Sequence, residues 1–336
     1  MNRRQARYNA KKQNSPLQPK EQSPVSHDSV SSDAAAPSST QLPFSSEYAL
    51  ESRKVVDLFL ENFKYILAAD DLQEMIQKVK GDLYNRDYLS AFDSDDKRFA
   101  YVARWSPARA LAYASLFSSL EPLRQLLADP NKETSALCIG GGAASELVAL
   151  GSMFACLKQP NGDTPSKLHL NVIDIADWST IVGSLSSYIS QKWFYNPAKF
   201  TSEFVLGDVL SQNAESLRLA SLDFITLLFT TNELFCEKKT ETIKLLQMLS
   251  SHCRKGALLL IAESAGSYSH ITVGSKRFPV QFLIDTILAG KPGASDGAWE
   301  IVDQNESCWY RINTKEVEYP IKLENMRFFY RLYRKN

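Results

Sequence analysis

The stretch that most constrains the fold of this chain runs from Ser135 to Leu150. A short apolar run, Ala136 to Ile139, stops at three consecutive glycines, and an apolar pattern of helical period follows. This order predicts a buried strand, a tight turn and a helix. Glycines allow positive φ angles and a close approach of the backbone to a ligand, while the free N–H groups at the start of the helix face it.

The three glycines, Gly140, Gly141 and Gly142, are therefore candidates for contact with a bound nucleotide. In the dinucleotide fingerprint G-x-G-x-x-G, Gly140 and Gly142 match the first two glycines, whereas Ser145 stands at the third. A tight connection between strand and helix that binds no ligand is the alternative interpretation.

Length, charge and cysteine content limit the class of protein. The 336 residues suffice for one large domain or two small ones, and 38 basic residues balance 38 acidic residues. Because the formal net charge is zero, any binding of nucleic acid must use local patches. Five cysteines without a C-x-x-C pair argue against a disulfide framework or a structural zinc ion.

No apolar run approaches the roughly 18 residues that span a membrane, and the chain does not begin with a signal peptide. We therefore expect a soluble intracellular protein in a reducing compartment, without a membrane partner or a metal ion.

Residues 1–46 have the composition of a disordered tail, because Ser, Pro, Gln and Ala dominate and large apolar residues are few. The first part of this tail contains basic residues and no acid: Arg3, Arg4, Arg7, Lys11 and Lys12. A basic arm of this kind serves nuclear import or loose binding of RNA, or it only adds solubility.

Residues 47–128 are predicted to form a helical extension, because apolar residues recur at helical spacing. Within it, Tyr101, Arg104, Trp105 and Arg109 surround Ser106-Pro107, where we expect a helix to restart. Two arginines among aromatic residues can hold a phosphate and stack on a base, or they can cover a hydrophobic core.

From residue 129 onward, strand-like apolar runs alternate with helical patterns, which predicts an α/β fold with a doubly wound parallel sheet. The predicted strands are 136–139, 168–174, 204–208, 222–229, 257–262, 299–302 (with 308–312 as its continuation or as a separate run) and 326–333. A loop rich in Gly, Ser and aromatic residues between Glu263 and Leu283 is long enough to act as a lid.

Four successive strands end in residues that can bind a ligand: the glycine turn, Asp174, Asp208, and the pair Asn232 and Glu233. In an open α/β sheet these ends meet at one edge, where a crevice binds ligands. Asp174 is suited to accept hydrogen bonds from ribose hydroxyls. Asn232 and Glu233 can also be the cap of the following helix.

This order of motifs resembles the class I S-adenosylmethionine-dependent methyltransferases. The resemblance implies a Rossmann-like sheet of seven strands and S-adenosylmethionine as cofactor, with the ribose at Asp174 and the adenine near Asp208. Two positions depart from the family pattern. Cys138 stands where an acid is common, and Ala144 replaces a glycine, a change that is tolerated if its φ is negative.

More narrowly, residues 101–109, 136–146, 172–178 and 263–268 are similar to the fungal family of large-subunit (25S) ribosomal RNA uridine-N3 methyltransferases. This resemblance implies methylation of N3 of a uridine in ribosomal RNA or a pre-ribosomal particle. It also implies a location in the nucleus or nucleolus, with the cytoplasm as an alternative.

The implied reaction needs a group that removes the proton from uracil N3. Glu233 is the first candidate, Asn232 would orient the base, and His270 is a weaker candidate. Because N3 lies on the Watson–Crick edge, the base must be unpaired or flipped, and Trp105 or Tyr268 could stack on it. Arg104 would contact a phosphate or a base.

The sequence is also compatible with other functions. The chain could methylate a protein or a small molecule. It could also be a methyltransferase fold without activity that binds in ribosome assembly, an alternative that the missing acid at Cys138 supports. An NAD-linked oxidoreductase is disfavoured by the inexact glycine spacing.

Overall fold

The computed structural model describes residues 40–158, 164–265, 270–273, 276–291 and 297–336. The predicted tail lies outside the described residues except for its end, residues 40–46. All described residues belong to one compact unit.

The described residues form ten α-helices and ten strands, numbered here in chain order. The helices are α1 (Ser52–Leu67), α2 (Leu72–Tyr84), α3 (Tyr88–Ala91), α4 (Asp95–Ser119), α5 (Glu121–Ala128), α6 (Ser145–Lys158), α7 (Ser179–Tyr188), α8 (Thr231–Glu237), α9 (Lys239–His252) and α10 (Val280–Ala289). The strands are β1 (Thr40–Gln41), β2 (Glu133–Ile139), β3 (Lys167–Asp174), β4 (Phe200–Leu206), β5 (Phe224–Leu228), β6 (Leu258–Ser264), β7 (His270–Val273), β8 (Lys276–Pro279), β9 (Trp299–Tyr310) and β10 (Met326–Lys335).

The main sheet has the strand order β1-β9-β10-β6-β5-β2-β3-β4 within the described residues. Strands β2 to β6 are parallel, and β10 is antiparallel to both β6 and β9. The predicted Rossmann-like α/β sheet is confirmed, but it has eight strands instead of seven because β1 is added at one edge. The two runs predicted within 299–312 form the single strand β9, and the segment predicted as a lid contains the β7–β8 hairpin.

Strand β1 shows that the predicted tail is too long at its C-terminal end. Thr40 and Gln41 pair with Cys308 and Trp309 of β9, and the N–H of Leu42 donates to the carbonyl of Trp309 at 2.8 Å. Leu42 is buried with only 5% of its surface exposed. The pairing satisfies backbone groups at the edge of β9 that would otherwise face solvent.

Helix α4 runs through Pro107, so the predicted restart of a helix at Ser106-Pro107 is wrong. The helix begins after Ser94, whose hydroxyl accepts a hydrogen bond from the N–H of Lys97. Acidic residues in its first turn stabilise the helix further, because their negative charge interacts favourably with the positive end of the helix dipole. A proline inside a helix leaves the carbonyl four residues earlier without its N–H partner. Here that carbonyl belongs to Ala103, and it accepts the hydroxyl of Tyr319 at 2.8 Å.

The sheet is covered on both faces, and the helical extension shares its core. On one face, α1, α4, α6 and α7 pack on side chains such as Ala136 and Cys138. On the other face, α9 and α10 pack on Leu137 and Ile139. Because β5 is covered on both sides, all its residues are buried. The ring of Phe117 in α4 meets the ring of Phe224 in β5 edge to face at 5.9 Å.

Candidate functional site

A cavity of about 510 Å³ lies at the carboxyl edge of the parallel strands. Gly140, Asp174, Asp208 and Glu233 all line it, each following a different strand. The structure therefore brings together residues that the sequence placed at four separate strand ends. Side chains of the helical extension, including Arg109 of α4, complete the wall.

The glycine turn is shaped by contacts within the protein. Gly140 has a φ of +69°, and a Cβ atom there would lie 2.4 Å from Oγ1 of Thr230. A Cβ atom on Gly142 would lie 2.0 Å from Cδ1 of Trp178. Gly140 lines the cavity, whereas Gly141 and Gly142 are not part of its lining. Packing therefore requires Gly140 and Gly142 even without a ligand.

Ala144 has a φ of +61°, so the condition under which alanine replaces the glycine without strain is not met. Phe229, which lines the cavity after β5, also has a positive φ, of +59°. Such a conformation costs a residue with a side chain about 1–3 kcal/mol and is concentrated at functional sites. Both residues lie where the chain leaves a strand end beside the cavity.

Two aspartates at the cavity are held by the backbone. Asp174 accepts the N–H groups of Gly142 and Ala176, each at 3.0 Å. Burial raises the pKa of Asp174, and these hydrogen bonds oppose that rise. Burial also acts to raise the pKa of Asp208, but the hydrogen bond from Lys238 at 2.7 Å and that from the backbone lower it overall.

Three buried glutamates lie at or beside the cavity: Glu146 and Glu233 line it, and Glu263 is close enough to Glu233 for its charge to act on that carboxyl group. Burial raises the pKa of Glu146 to about 7 and that of Glu233 to about 8, with further elevation of Glu233 by the charge of Glu263. Burial likewise raises the pKa of Glu263 to about 8. Oε1 of Glu146 is buried and has no hydrogen-bond partner among the described residues.

The sequence did not single out Glu146 and Glu263 as candidate site residues. An acid in the first turn of a helix, such as Glu146, is an ordinary stabilising feature. Glu263 was visible only as the end of a strand. Asn232, predicted to orient the substrate, does not line the cavity and instead hydrogen-bonds Glu263 through its side chain and backbone.

Arg109 provides a positive charge on the same wall. Its guanidinium donates to the hydroxyl of Tyr101 and lies 5.7 Å from the centre of the Phe229 ring. Its charge lowers the pKa of Glu146, Glu233 and Glu263 against the effect of burial. Among the described residues, Arg109 forms no direct ion pair with a carboxylate.

The structure does not bring Arg104 and Trp105 to the cavity, which corrects the prediction that they contact substrate there. Arg104 is buried and paired with Glu324, and Trp105 packs against the hydrophobic cores. Tyr268 and the side chain of His270 lie outside what the structure describes. In the described ranges, no helix is long and apolar enough to cross a membrane, and no group of His, Cys, Asp and Glu is arranged to hold a metal ion.

Residues 59–334 match the protein family described as putative SAM-dependent methyltransferase. The chain belongs to this family. A protein of Saccharomyces cerevisiae, 25S rRNA (uridine(2843)-N(3))-methyltransferase, is 46% identical over 325 residues, which cover 88% of this chain and 89% of that protein. The chain is thus an S-adenosylmethionine-dependent methyltransferase, as the sequence predicted.

Two solved structures also resemble this methyltransferase. The N-methyltransferase NodS from Bradyrhizobium japonicum WM9, in complex with S-adenosyl-L-homocysteine, is 15% identical with a TM-score of 0.36, covering 82% of this chain and 98% of that one. An rRNA methylase from Streptococcus thermophilus is 11% identical with a TM-score of 0.33, covering 63% and 93%. The family assignment rests on the family match and the yeast relative.

The cavity fits the cofactor of the family. S-adenosylmethionine combines a ribose and a base with a positively charged sulfonium and an amino-acid end. The buried carboxyl oxygen of Glu146 is without a hydrogen-bond partner in the described part of the chain, and Arg109 lies on the same wall without a direct carboxylate partner there. A buried polar atom without a partner is costly, and a ligand of opposite charge can relieve that cost.

Proposed function

We propose that this methyltransferase transfers the methyl group of S-adenosylmethionine to N3 of a uridine in large-subunit ribosomal RNA. The observation that carries the proposal is the 46% identity to the yeast 25S rRNA (uridine(2843)-N(3))-methyltransferase along nearly the whole of both chains. The substrate is ribosomal RNA or a pre-ribosomal particle, and the protein acts in the nucleus or nucleolus.

The strand ends on one side of the cavity hold the nucleoside part of the cofactor. Asp174 accepts hydrogen bonds from the ribose hydroxyls, since its carboxylate lines the cavity and is fixed by two backbone N–H groups. Asp208 lies after the neighbouring strand β4, next to the adenine. The backbone of the turn at Gly140 permits a close approach.

Glu146 and Arg109 hold the amino-acid end of the cofactor. They place opposite charges on the wall of the same cavity, and the amino-acid end carries an ammonium and a carboxylate. Glu146 arises from helix α6 and lies close to Cys138, whose pKa it helps to raise. Glu146 thus supplies the carboxylate that the chain lacks at the end of β2.

Glu233 removes the proton from N3 of the target uridine. Its pKa of about 8 lies near neutral pH, where a carboxylate is a stronger base than an ordinary exposed glutamate, and this suits a general base. Glu233 takes the proton from N3, which frees the N3 lone pair to attack. Bound S-adenosylmethionine would supply the methyl group on a sulfonium, so that the new N–C bond forms as the C–S bond breaks and the cofactor departs as a neutral thioether.

Asn232 has a positioning role in this proposal. Its hydrogen bonds to Glu263 hold that carboxyl group near Glu233, where the charge of Glu263 raises the pKa of the base. The target uridine enters unpaired or flipped, because its N3 is otherwise occupied by base pairing.

Mapping of methylated nucleosides in ribosomal RNA from cells that lack the protein tests the reaction. One N3-methyluridine of the large-subunit RNA should disappear and return when the wild-type chain is restored. Retention of all methylated uridines would overturn the proposed substrate. If the purified protein still bound S-adenosylmethionine in that case, its substrate would be a protein or a small molecule instead of ribosomal RNA.

The cofactor site is tested by calorimetry on two matched variants. Asp174→Ala should weaken binding of S-adenosylmethionine by roughly tenfold or more, since a hydrogen bond to a charged group contributes about 1.5–3 kcal/mol. Asp177→Ala is the control, because Asp177 is exposed, does not line the cavity and accepts hydrogen bonds from the backbone and side chain of the nearby Ser179. Equal affinities of the two variants would show that Asp174 is not the ribose ligand.

A further inference from the structure

A second group of arginine and aromatic side chains lies outside the cavity, at the end of β9. The guanidinium of Arg311 lies 4.6 Å from the centre of the Trp309 ring, and that of Arg327 lies 5.7 Å from it. Arg327 belongs to β10 and stands directly opposite Trp309 in the antiparallel register. We call Trp309, Arg311 and Arg327 the edge patch.

The two arginines of the edge patch are exposed, and Trp309 is half-buried. Each guanidinium is fixed through Nε: that of Arg311 donates to Gln41 at 3.1 Å and that of Arg327 to Ser307 at 3.0 Å. The terminal nitrogens of both side chains form no hydrogen bond or ion pair with any described residue. Two oriented cations thus keep their outer donors available for an anion.

Neighbouring acids do not neutralise the patch, because they are paired elsewhere. Glu306 on β9 is bonded to Arg331, and Glu324, just before β10, is bonded to Arg104. Since the whole chain has a formal net charge of zero, such a local group of cations is what can attract a polyanion.

The edge patch lies at the same edge of the sheet as the cavity. The residue after Arg327, Phe328, stands opposite Ser264, the last residue of β6. The ring of Phe328 meets the ring of Phe229 at 6.0 Å, and Phe229 lines the cavity. Arg327 is thus one residue along β10 from a side chain that contacts the cavity lining, and we take an RNA strand with its target base in the cavity to extend along this edge to the edge patch.

We propose that the edge patch binds the RNA strand that flanks the methylated uridine. The patch combines an indole ring with planar guanidinium groups, on which unpaired bases stack, and it offers donors for phosphates. This inference rests on the proposed function, because it takes the ligand to be the RNA substrate. It adds a surface that holds the strand while the base enters the cavity.

Fluorescence anisotropy of the full-length protein with a labelled single-stranded RNA tests the edge patch. The RNA carries the sequence around the large-subunit uridine that corresponds to the one methylated by the yeast relative. Trp309→Ala should weaken binding at least fivefold, in the range that loss of one stacked base produces, and Trp309→Tyr should restore most of the affinity. The double variant Arg311→Gln and Arg327→Gln should flatten the dependence of affinity on salt concentration.

Lys64→Gln combined with Tyr65→Ala provides the matched control, because Lys64 lies 4.8 Å from the exposed ring of Tyr65 on helix α1. The RNA affinity of this control should stay within twofold of the wild-type value. The affinity of the edge-patch variants for S-adenosylmethionine should also stay within twofold of wild type. RNA affinities within twofold of wild type in all edge-patch variants would overturn the inference, as would an equal loss in the control.

The two proposals fail in different ways. If the edge-patch variants bind RNA normally while the nucleoside mapping shows a lost N3-methyluridine, the edge patch is wrong and the proposed function stands. If the mapping shows no loss but the edge-patch variants lose RNA affinity, the surface binds RNA and the proposed reaction is wrong.

Discussion

Two groups of arginine and aromatic residues have nearly the same composition and opposite surroundings. In helix α4, the guanidinium of Arg104 lies 5.4 Å from the centre of the Trp105 ring, and the Arg104 side chain is only 7% exposed. In the edge patch, two exposed arginines lie against Trp309, which packs against none of the hydrophobic cores of the described residues. The sequence favoured the first group as the RNA site, whereas the structure favours the second.

The difference shows that an arginine beside a tryptophan does not identify a binding surface. A buried guanidinium must find a partner inside the protein, and Arg104 finds it in Glu324, 220 positions along the chain. An exposed guanidinium held only through Nε keeps its remaining donors for a ligand. Burial and the identity of the partner therefore separate a structural cluster from a binding surface.

The largest effect should come from Trp105→Ala compared with Trp309→Ala. Trp105 packs against the cores and lies 4.9 Å from the ring of Tyr101, so its removal should lower the free energy of unfolding by about 3 kcal/mol. Trp309→Ala should change it by less than roughly 0.5–1 kcal/mol. Chemical denaturation measures both, and a similar loss in the two variants would remove the basis of the comparison.

Arg109 belongs to the same group of arginine and aromatic residues in helix α4 as Arg104 and Trp105, which we call the α4 group, but it lines the cavity. Arg109→Gln tests its role there. Binding of S-adenosylmethionine should weaken by roughly ten- to a hundredfold, as expected for loss of a charge-assisted contact of about 1.5–3 kcal/mol. Arg311→Gln should leave cofactor affinity unchanged. Calorimetry on both variants checks the assignment, and unchanged cofactor affinity in Arg109→Gln would place the whole α4 group among the structural clusters.

The pH dependence of stability should also distinguish the two regions. Burial raises the pKa of Glu146, Glu233 and Glu263 above 4.5, the ordinary value of a glutamate in an unfolded chain. The folded state therefore binds more protons between about pH 4.5 and 8, and its stability falls as the pH rises through this window. The melting temperature of the cofactor-free protein should drop by at least several degrees between pH 5.5 and 8, because each pH unit over which one of these groups is protonated only in the folded state costs about 1.4 kcal/mol of stability.

Arg109→Gln should steepen that drop, because the charge of Arg109 lowers all three pKa values. Arg327→Gln should leave the slope as it is in the wild type. Thermal melts of the three proteins across the pH range provide the measurement. A melting temperature that stayed level or rose with pH would contradict the raised pKa values.

Arg104→Gln should produce the smallest effect. Its partner Glu324 is half exposed and stays hydrated when the pair is lost, and the glutamine keeps a hydrogen-bond donor at the buried position of Arg104. Stability should fall by about 1 kcal/mol, the net contribution of a typical hydrogen bond, while RNA affinity and its salt dependence stay as in the wild type. A clear loss of RNA affinity without a loss of stability would show that Arg104 contacts RNA. The α4 residues would then be a binding surface and not a structural cluster.

The sequence alone largely determined where the central strands lie along the chain and which edge of the sheet carries the site. Apolar runs, the turn at Gly140 and the acid at Asp174 are local patterns, and parallel strands place their carboxyl ends at one edge whatever the details of packing. The class of cofactor also followed from the sequence, through the resemblance of these motifs to a known family. These features depend on neighbours within a few residues of one another.

The tertiary structure decided what depends on residues far apart in the chain. Helix α4 continues through Pro107 because Tyr319 satisfies the carbonyl that the proline leaves free. Residues 40–46 join the fold because Thr40 and Gln41 pair with the edge of β9 as a strand. Glu146 has a raised pKa because the packed fold buries its carboxyl group, and no local pattern records how deeply a side chain is buried.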